Sequence, residues 1–242
     1  MFLQRWDPKE IQQLPKAIKR CFWALYDTTN DTDLDIQKQK GCNSVLPHLK
    51  KVWTGFCKAL YKEAKWYHKG HCPSLCEYLD NGWTSSSGPI LSLYTLVGVG
   101  QDMTQTISAF NTNQDIIHHA SSIMPLSLFD SAMTRPLLKS FLPDEELERG
   151  DAPSSILCYM REVNATESEA RDHIRKLIIE SWKKMNELFT VCPHSQQPMI
   201  KYIVNIARVV NFIYQNGDGY GVQYRETRKQ VLSCLIEPLP LP

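Results

Sequence analysis

Apolar residues recur every three or four positions along most of the chain, the spacing of one buried helix face. The helices predicted by this spacing cover residues 11–29, 43–67, 77–82, 90–99, 113–124, 156–160, 167–189 and 198–214, with an exit helix starting near Leu232. Alternating apolar and polar residues, typical of half-buried strands, are scarce throughout. The sequence therefore predicts an all-α fold.

The first helix carries a start signal. Asp7 is suited to cap it, Pro8 to occupy its first position, and Glu10 to complete a capping box. We expect this helix to continue through Ile11.

Residues 84–89 interrupt the pattern with Thr-Ser-Ser-Ser-Gly-Pro. Proline removes a backbone donor and clashes with the preceding turn, while serine and glycine offer other hydrogen bonds and conformations. The pattern is typical either of two helices joined by a loop or of one broken helix.

Composition excludes several classes of protein. The 242 residues, 43% of them hydrophobic, are enough to bury a large core, and the net charge of +1 gives no electrostatic case for nucleic acid. The eight cysteines lack a regular spacing, which favours thiols in a reducing compartment. No signal sequence and no run of about 20 apolar residues is present, so we expect a soluble protein without a membrane span, not secreted.

Two groups of chemically active side chains precede the acidic part of the chain. His68, His71, Cys72 and Cys76 invite a zinc site, but no second ligand pair follows at a finger-like distance, so an interhelical loop is favoured. The histidine pair 118–119 has no serine or cysteine nucleophile pattern nearby, which favours a surface or satisfied core position over a catalytic one.

An acidic cluster, Asp144-Glu145-Glu146, is followed by Glu148-Arg149-Gly150-Asp151. Carboxylates this close repel one another unless a cation offsets them, and magnesium is held by a few carboxylates plus substrate phosphates. The alternative is a solvated helix start, where acidic residues favour the helix dipole.

Several motifs together resemble those of plant class I terpene synthases, over residues 6–239 and in the same order. They are RWD with LPKAIK, KEAKWY, EYLDNGW, ELERGDAPSSILCYM, NxAR at 205–208 and GDGYG at 217–221. The resemblance, closest to monoterpene synthases and to linalool- or nerolidol-type synthases, implies a bundle of antiparallel helices around a deep pocket. Residues 1–242 would form part of the C-terminal metal-binding catalytic domain, truncated on its N-terminal side, where an aspartate-rich motif is expected.

The resemblance also implies a lyase reaction. Magnesium, or else manganese, would assist loss of diphosphate from geranyl or farnesyl diphosphate, and the carbocation would rearrange to a terpene. We expect a monomer in the cytoplasm or the plastid. A catalytically inactive, degenerate copy that acts as a helical scaffold or binding partner is the alternative.

Site residues follow from matching the second metal motif of the family. Glu146 takes its third ligand position, while Leu138 and Leu142 occupy the other two and cannot bind metal. Arg135 stands where the family has an arginine that pairs with diphosphate. Ser154 stands where it often has a lysine.

The resemblance assigns two further groups. The interrupted helix would line the pocket with Trp83, Thr84, Ser85, Ser86 and Ser87, and its loosened carbonyls would face a carbocation. Asp218 and Tyr220, on the glycine-rich loop, would close over the pocket and act with Arg135 in catalysis.

Overall fold

The computed structural model describes residues 6–132 and 154–214. This part of the chain contains helices and connecting turns but no β-strand, which confirms the all-α prediction. A 3-10 helix, Pro8–Gln13, comes first. The α-helices that follow it are α1 (Lys16–Lys40), α2 (Leu46–His68), α3 (Leu75–Ser85), α4 (Gly88–Val99), α5 (Met103–Thr112), α6 (Gln114–Ala132), α7 (Ser155–Val163), α8 (Glu167–Val191) and α9 (Gln197–Tyr214).

The N-terminal helix differs from the prediction. Asp7 is a cap, accepting a hydrogen bond from the Lys9 amide at 2.8 Å, but the helix it caps is a short 3-10 helix. Pro15 has no N–H to donate, so it interrupts the helical hydrogen bonding. Helix α1 begins directly after it. The side chain of Glu10 lies outside the described part of the structure.

Helix α1 runs past residue 29, where its predicted segment ended, to Lys40. The extra turns are largely polar, but one of their residues, Asp33, is buried and bonded to the next helix. The carboxylate of Asp33 is 5% exposed and accepts hydrogen bonds from the amides of Val45 and Leu46, at 2.6 and 2.9 Å. It thereby caps α2 from the neighbouring helix.

Helix α4 contains no charged residue and is largely buried. Lys40 lies at its C-terminal end, where the ammonium group donates to the carbonyls of Val97, Gly98 and Gly100 at 2.6, 3.0 and 2.5 Å. A cation is stabilised there by the negative end of the helix dipole. No helix in the described ranges combines the length and apolar character needed to cross a membrane.

Two hydrophobic cores organise the helices. The larger is formed by α1, α2, α4, α5, α6, α8 and α9, and the smaller by α3, α6, α7 and α8. Helix α6 contributes to both, because Ile123 is buried in the larger core and Leu126 in the smaller. It is the central helix of the described structure.

Helix α6 continues through Pro125 to Ala132, although the predicted segment ended at Met124. The hydroxyls of Ser121 and Ser122 donate to the carbonyls four residues earlier, at 2.6 and 2.8 Å. These bonds satisfy both hydroxyls inside the helix, just before the proline.

The helices predicted between residues 154 and 214 are confirmed with small changes of boundary, and the exit helix predicted from Leu232 lies outside the described residues. Ser154, 4% exposed, caps α7 by accepting from the Leu157 amide at 3.3 Å. Thr166 and Glu169 form a reciprocal capping box at the start of α8.

Candidate functional site

The break between α3 and α4 brings the five predicted pocket residues together. Trp83, Thr84 and Ser85 form the last turn of α3, and Ser86 and Ser87 connect it to α4. Ser87 adopts a left-handed conformation, with φ 63° and ψ 9°, which ends the helical path. Of the two interpretations of this sequence, two helices with a short connection is the observed one.

The carbonyl of Ser85 lies at the end of α3, just before the chain leaves the helical path at Ser87. A continuous helix would pair that carbonyl with the amide of residue 89, but proline has no N–H. The negative end of this carbonyl dipole is therefore without its usual helical donor.

Gly88 allows α4 to start in contact with α6. A Cβ atom at residue 88 would lie 2.0 Å from the Oγ and 2.3 Å from the Cβ of Ser121, far inside van der Waals contact. Only glycine fits at this approach without movement of one helix.

The hydroxyl of Ser85 donates to the Glu63 carboxylate on α2, at 2.5 Å. The same oxygen accepts from the Asn81 amide at 2.8 Å, and Asn81 also donates to the Ala59 carbonyl at 3.1 Å. This network fixes the last turn of α3 against α2. Sequence reasoning missed Glu63, because it lies inside a regular helical pattern with no local signal of its partners.

Ser86 contacts the backbone carbonyl of Ser121 in α6, which has no helical donor because residue 125 is a proline. Pro125 cannot donate to the carbonyl of Ser121, and the Ser86 hydroxyl lies 3.4 Å from that oxygen and 3.1 Å from the Trp83 carbonyl. A Cβ at Gly82 would lie 3.6 Å from the Pro125 ring. The break in one helix thus lies opposite the internal proline of another.

The hydroxyl of Ser87 donates to the Ser86 carbonyl at 2.6 Å. With the bonds of Ser85 and Ser86, each serine hydroxyl of the break therefore has an acceptor within the protein. The roles predicted for these residues toward a substrate stay predictions.

Trp83 packs against the partly buried His118. Its ring centroid lies 5.1 Å from that of His118, in an edge-on arrangement. Burial lowers the pKa of His118, against the opposing effect of Asp80 and Asp115, and burial followed by His118 lowers the pKa of His119.

Helices α3, α6 and α8 enclose a cavity of about 570 Å³, and its lining includes both histidines. A second cavity, of about 660 Å³, lies where the turn after α1 meets the start of α5. None of the five predicted pocket residues lines either one.

The remaining predicted site residues, Arg135, Glu146, Asp218 and Tyr220, lie outside the described ranges, as do Leu138 and Leu142. The diphosphate, metal and lid assignments therefore stay predictions. Within residues 6–132 and 154–214, no group of three His, Cys, Asp or Glu side chains could hold a metal ion.

The four residues of the zinc alternative surround the loop between α2 and α3, as the loop interpretation predicted. The His71 ring lies 3.7 Å from the carboxylate of Glu77, and the Cys76 thiol lies 3.7 Å from that of Asp80. Cys72, in the loop itself, instead contacts Cys158 of α7.

Comparison with known proteins shows which family has this sequence and this helical arrangement. Residues 1–184 match the family described as "Terpene synthase family, metal binding domain". An (E,E)-alpha-farnesene synthase of Malus domestica is 42% identical over 98% of this chain and 40% of its own length. A chloroplastic alpha-thujene synthase of Litsea cubeba is 41% identical over 98% of this chain and 39% of its own length.

A solved structure of a related enzyme has the same helical arrangement. Grey poplar isoprene synthase, in complex with three Mg²⁺ ions and dimethylallyl-S-thiolodiphosphate, superposes with a TM-score of 0.82 at 35% identity. The match covers 100% of this chain and 44% of that one. The chain therefore belongs to the terpene synthase family, and its fold is the helical fold of that family. Membership implies dependence on a divalent metal ion. The chain spans about two fifths of the length of the curated relatives it matches.

Proposed function

We propose that this chain forms part of the C-terminal catalytic domain of a terpene synthase. The enzyme removes diphosphate from geranyl or farnesyl diphosphate and converts the resulting carbocation into a terpene. The observation that carries this proposal is the α3–α4 break, where α3 ends at Ser85 and leaves the Ser85 carbonyl without a helical donor, in a chain of this family. The isoprene synthase complex supports the ligand classes, since it holds Mg²⁺ and a diphosphate analogue.

The break is suited to a cationic intermediate for a physical reason. A carbonyl oxygen offers fixed negative charge without being a base strong enough to take a proton from the cation. The hydroxyls of Ser85, Ser86 and Ser87 donate to protein acceptors, so the backbone is the part of the break left to act. The aromatic face of Trp83 is a second candidate for cation stabilisation.

The metal and diphosphate assignments rest on the sequence. We propose Glu146 as a ligand of magnesium, with manganese as the alternative ion, and Arg135 as a partner of the diphosphate group. The described residues provide no metal cluster of their own. When bound, such an ion supplies positive charge to a leaving diphosphate. Asp218 and Tyr220 are proposed to cover the pocket and exclude water.

The test is incubation of the 242-residue protein with each prenyl diphosphate and Mg²⁺, with released diphosphate and volatile products measured. We expect product from the unmodified protein and a loss of at least tenfold in the Arg135→Ala, Glu146→Ala double variant. Arg161→Ala, which removes an exposed arginine of α7, is the matched control and should keep full activity.

The sequence also favours a competing function, because leucine occupies two of the three ligand positions of the second metal motif. A degenerate scaffold would keep its helical circular dichroism spectrum. It would release no diphosphate and show no magnesium binding by calorimetry. That combination of results would replace the enzymatic proposal with the scaffold.

A further inference from the structure

Two cysteines far apart in the sequence meet where the α2–α3 loop crosses α7. Cys72 lies in the loop and Cys158 in the helix, and their thiols form a hydrogen bond. Neither forms a disulfide in this structure. The zinc motif noted in the sequence therefore has one of its cysteines paired with a residue outside the motif.

The backbone around the two thiols is held in place by other contacts. The Leu75 amide, three residues after Cys72, donates to the Glu162 carboxylate, four residues after Cys158, at 2.8 Å. Leu75 and Ile156 also pack in the same small core as Cys158. The meeting of the thiols is thus part of a built crossing between loop and helix.

The two thiols differ in exposure and therefore in reactivity. Cys158 is 1% exposed, and burial, followed by the neighbouring Cys72, raises its pKa to about 12. Cys72 is partly exposed, and its thiol also lies 3.8 Å from the Pro73 carbonyl. A solution oxidant can reach Cys72 first, because the thiolate and its access to solvent control exchange.

We propose that Cys72 and Cys158 form a reversible disulfide, with a small disulfide such as oxidised glutathione as the oxidant. This modification site is independent of the proposed enzymatic function, since it requires neither substrate nor metal.

The exchange balances in two steps. The Cys72 thiolate attacks one sulfur of glutathione disulfide, its S–S bond breaks, and one glutathione leaves. Cys158 then gives up its proton and attacks the Cys72 sulfur of the mixed disulfide, displacing the second glutathione. The two protein thiols lose two electrons and two protons, and glutathione disulfide becomes two glutathione thiols.

A nearby cysteine provides a matched control. Cys76 is exposed and is the second residue of α3, but the Asp80 carboxylate raises the pKa of its thiol. Cys192 is also buried, at 6% exposed, and its thiol lies 3.4 Å from the side-chain oxygen of Asn113. Both should remain thiols under conditions that link the proposed pair.

The experiment oxidises the 242-residue protein with glutathione disulfide at pH 8. Remaining thiols are alkylated, and a digest made without reductant is mapped by mass spectrometry. We expect one peptide pair joined through Cys72 and Cys158. We also expect a melting temperature raised by about 5–10 °C and restored by dithiothreitol, because the link closes a long loop.

Variants decide between this disulfide and general oxidation. Cys76→Ser and Cys192→Ser should keep the link, whereas Cys72→Ser should abolish it and leave Cys158 unmodified. Because Cys72 is partly exposed, its serine variant should fold normally. A link through a different cysteine would overturn the proposal, and so would a lasting glutathione adduct on Cys72 without an internal disulfide.

Discussion

Two prolines of this protein lie in facing helices but at different positions within them. Pro89 is in the first turn of α4, directly after a break, whereas Pro125 is inside α6, which continues without interruption. An amide in the first turn has no helical acceptor to lose, while an amide in the middle of a helix does. A proline by itself therefore does not decide whether a helix ends.

The local conformation and the neighbouring helix decide it instead. Ser87 turns the chain through a left-handed conformation, and Gly88 lets the new helix begin against Ser121. In α6, the carbonyl deprived by Pro125 is within reach of the Ser86 hydroxyl. The break in one helix thus helps to compensate the proline in the other.

The largest expected effect comes from closing the contact at Gly88. Gly88→Ala should lower the free energy of unfolding by about 2–3 kcal/mol, because the new Cβ overlaps Ser121. Urea unfolding followed by circular dichroism measures the change. Gly98→Ala, in the same helix but with nothing within 4 Å of the added Cβ, is the control and should be neutral or slightly stabilising.

The partner residue provides the counter-test. Ser121→Gly removes two of the three overlapping atoms, so it should recover part of the loss in the double variant. Equal losses from Gly88→Ala and Gly98→Ala would show that the contact between α4 and α6 is not tight.

The second prediction applies the same substitution to both prolines. Pro125→Ala should raise the free energy of unfolding by about 1–2 kcal/mol, because an interior proline is the poorer helix former even after some lost packing. Pro89→Ala should lower it by about 0.5–1 kcal/mol, because it loosens the unfolded chain without restoring a needed bond. Thermal unfolding of both variants checks the signs, and the same sign for both would remove the distinction drawn here.

The third prediction tests whether the α3–α4 break, at Ser86, is energetically coupled to Pro125 in α6. Ser86→Ala should cost about 1 kcal/mol, since it leaves the Ser121 carbonyl with neither its helical nor its serine donor. In the Pro125→Ala background that carbonyl regains a backbone amide, so the cost should fall to about half. A double-mutant cycle measures this difference, and strictly additive losses would mean that the Ser86 hydroxyl does not serve α6.

The smallest effect is a dependence on pH. Burial lowers the pKa of His118 and His119 below the ordinary value of 6.5, so the unfolded state binds more protons than the folded state. Stability should therefore be constant above about pH 7 and should fall as the pH decreases below about 6.5. We expect His118→Gln to flatten this slope between pH 7 and 5 in denaturant titrations.

Exposed His194, replaced by Gln, is the control for this slope and should leave it unchanged. If His118→Gln and His194→Gln give the same slope as the unmodified protein, burial at residue 118 is not its source.

The sequence predicts most of the helices and the break, because both depend on local signals, but α5 (Met103–Thr112) was not predicted. Helical spacing marked the apolar faces, and the serines with Gly88 and Pro89 marked the end of α3. Boundaries were wrong where a distant contact overrides local preference. Helix α1 continues past residue 29 because Asp33, in its second half, bonds to the start of the next helix. Helix α6 continues past Pro125 because its residues on both sides of position 124 are packed in the two cores.

The partners of the break were not predictable, because they lie on other helices. The bonds from Ser85 to Glu63 and from Ser86 to the Ser121 carbonyl join residues 22 and 35 positions apart. The Cys72–Cys158 contact is more distant still. A single sequence carries no spacing signal for such pairs.

The position of α6 between the two cores has a consequence for how the protein opens. Ile123 and Leu126 lie one helical turn apart and anchor different cores, so neither core can lose its packing without disturbing the same turn. The amides of α6 should therefore exchange with deuterated solvent only in the rarest, global opening events. The two cores should behave as a single foldon, although they do not share one continuous interior.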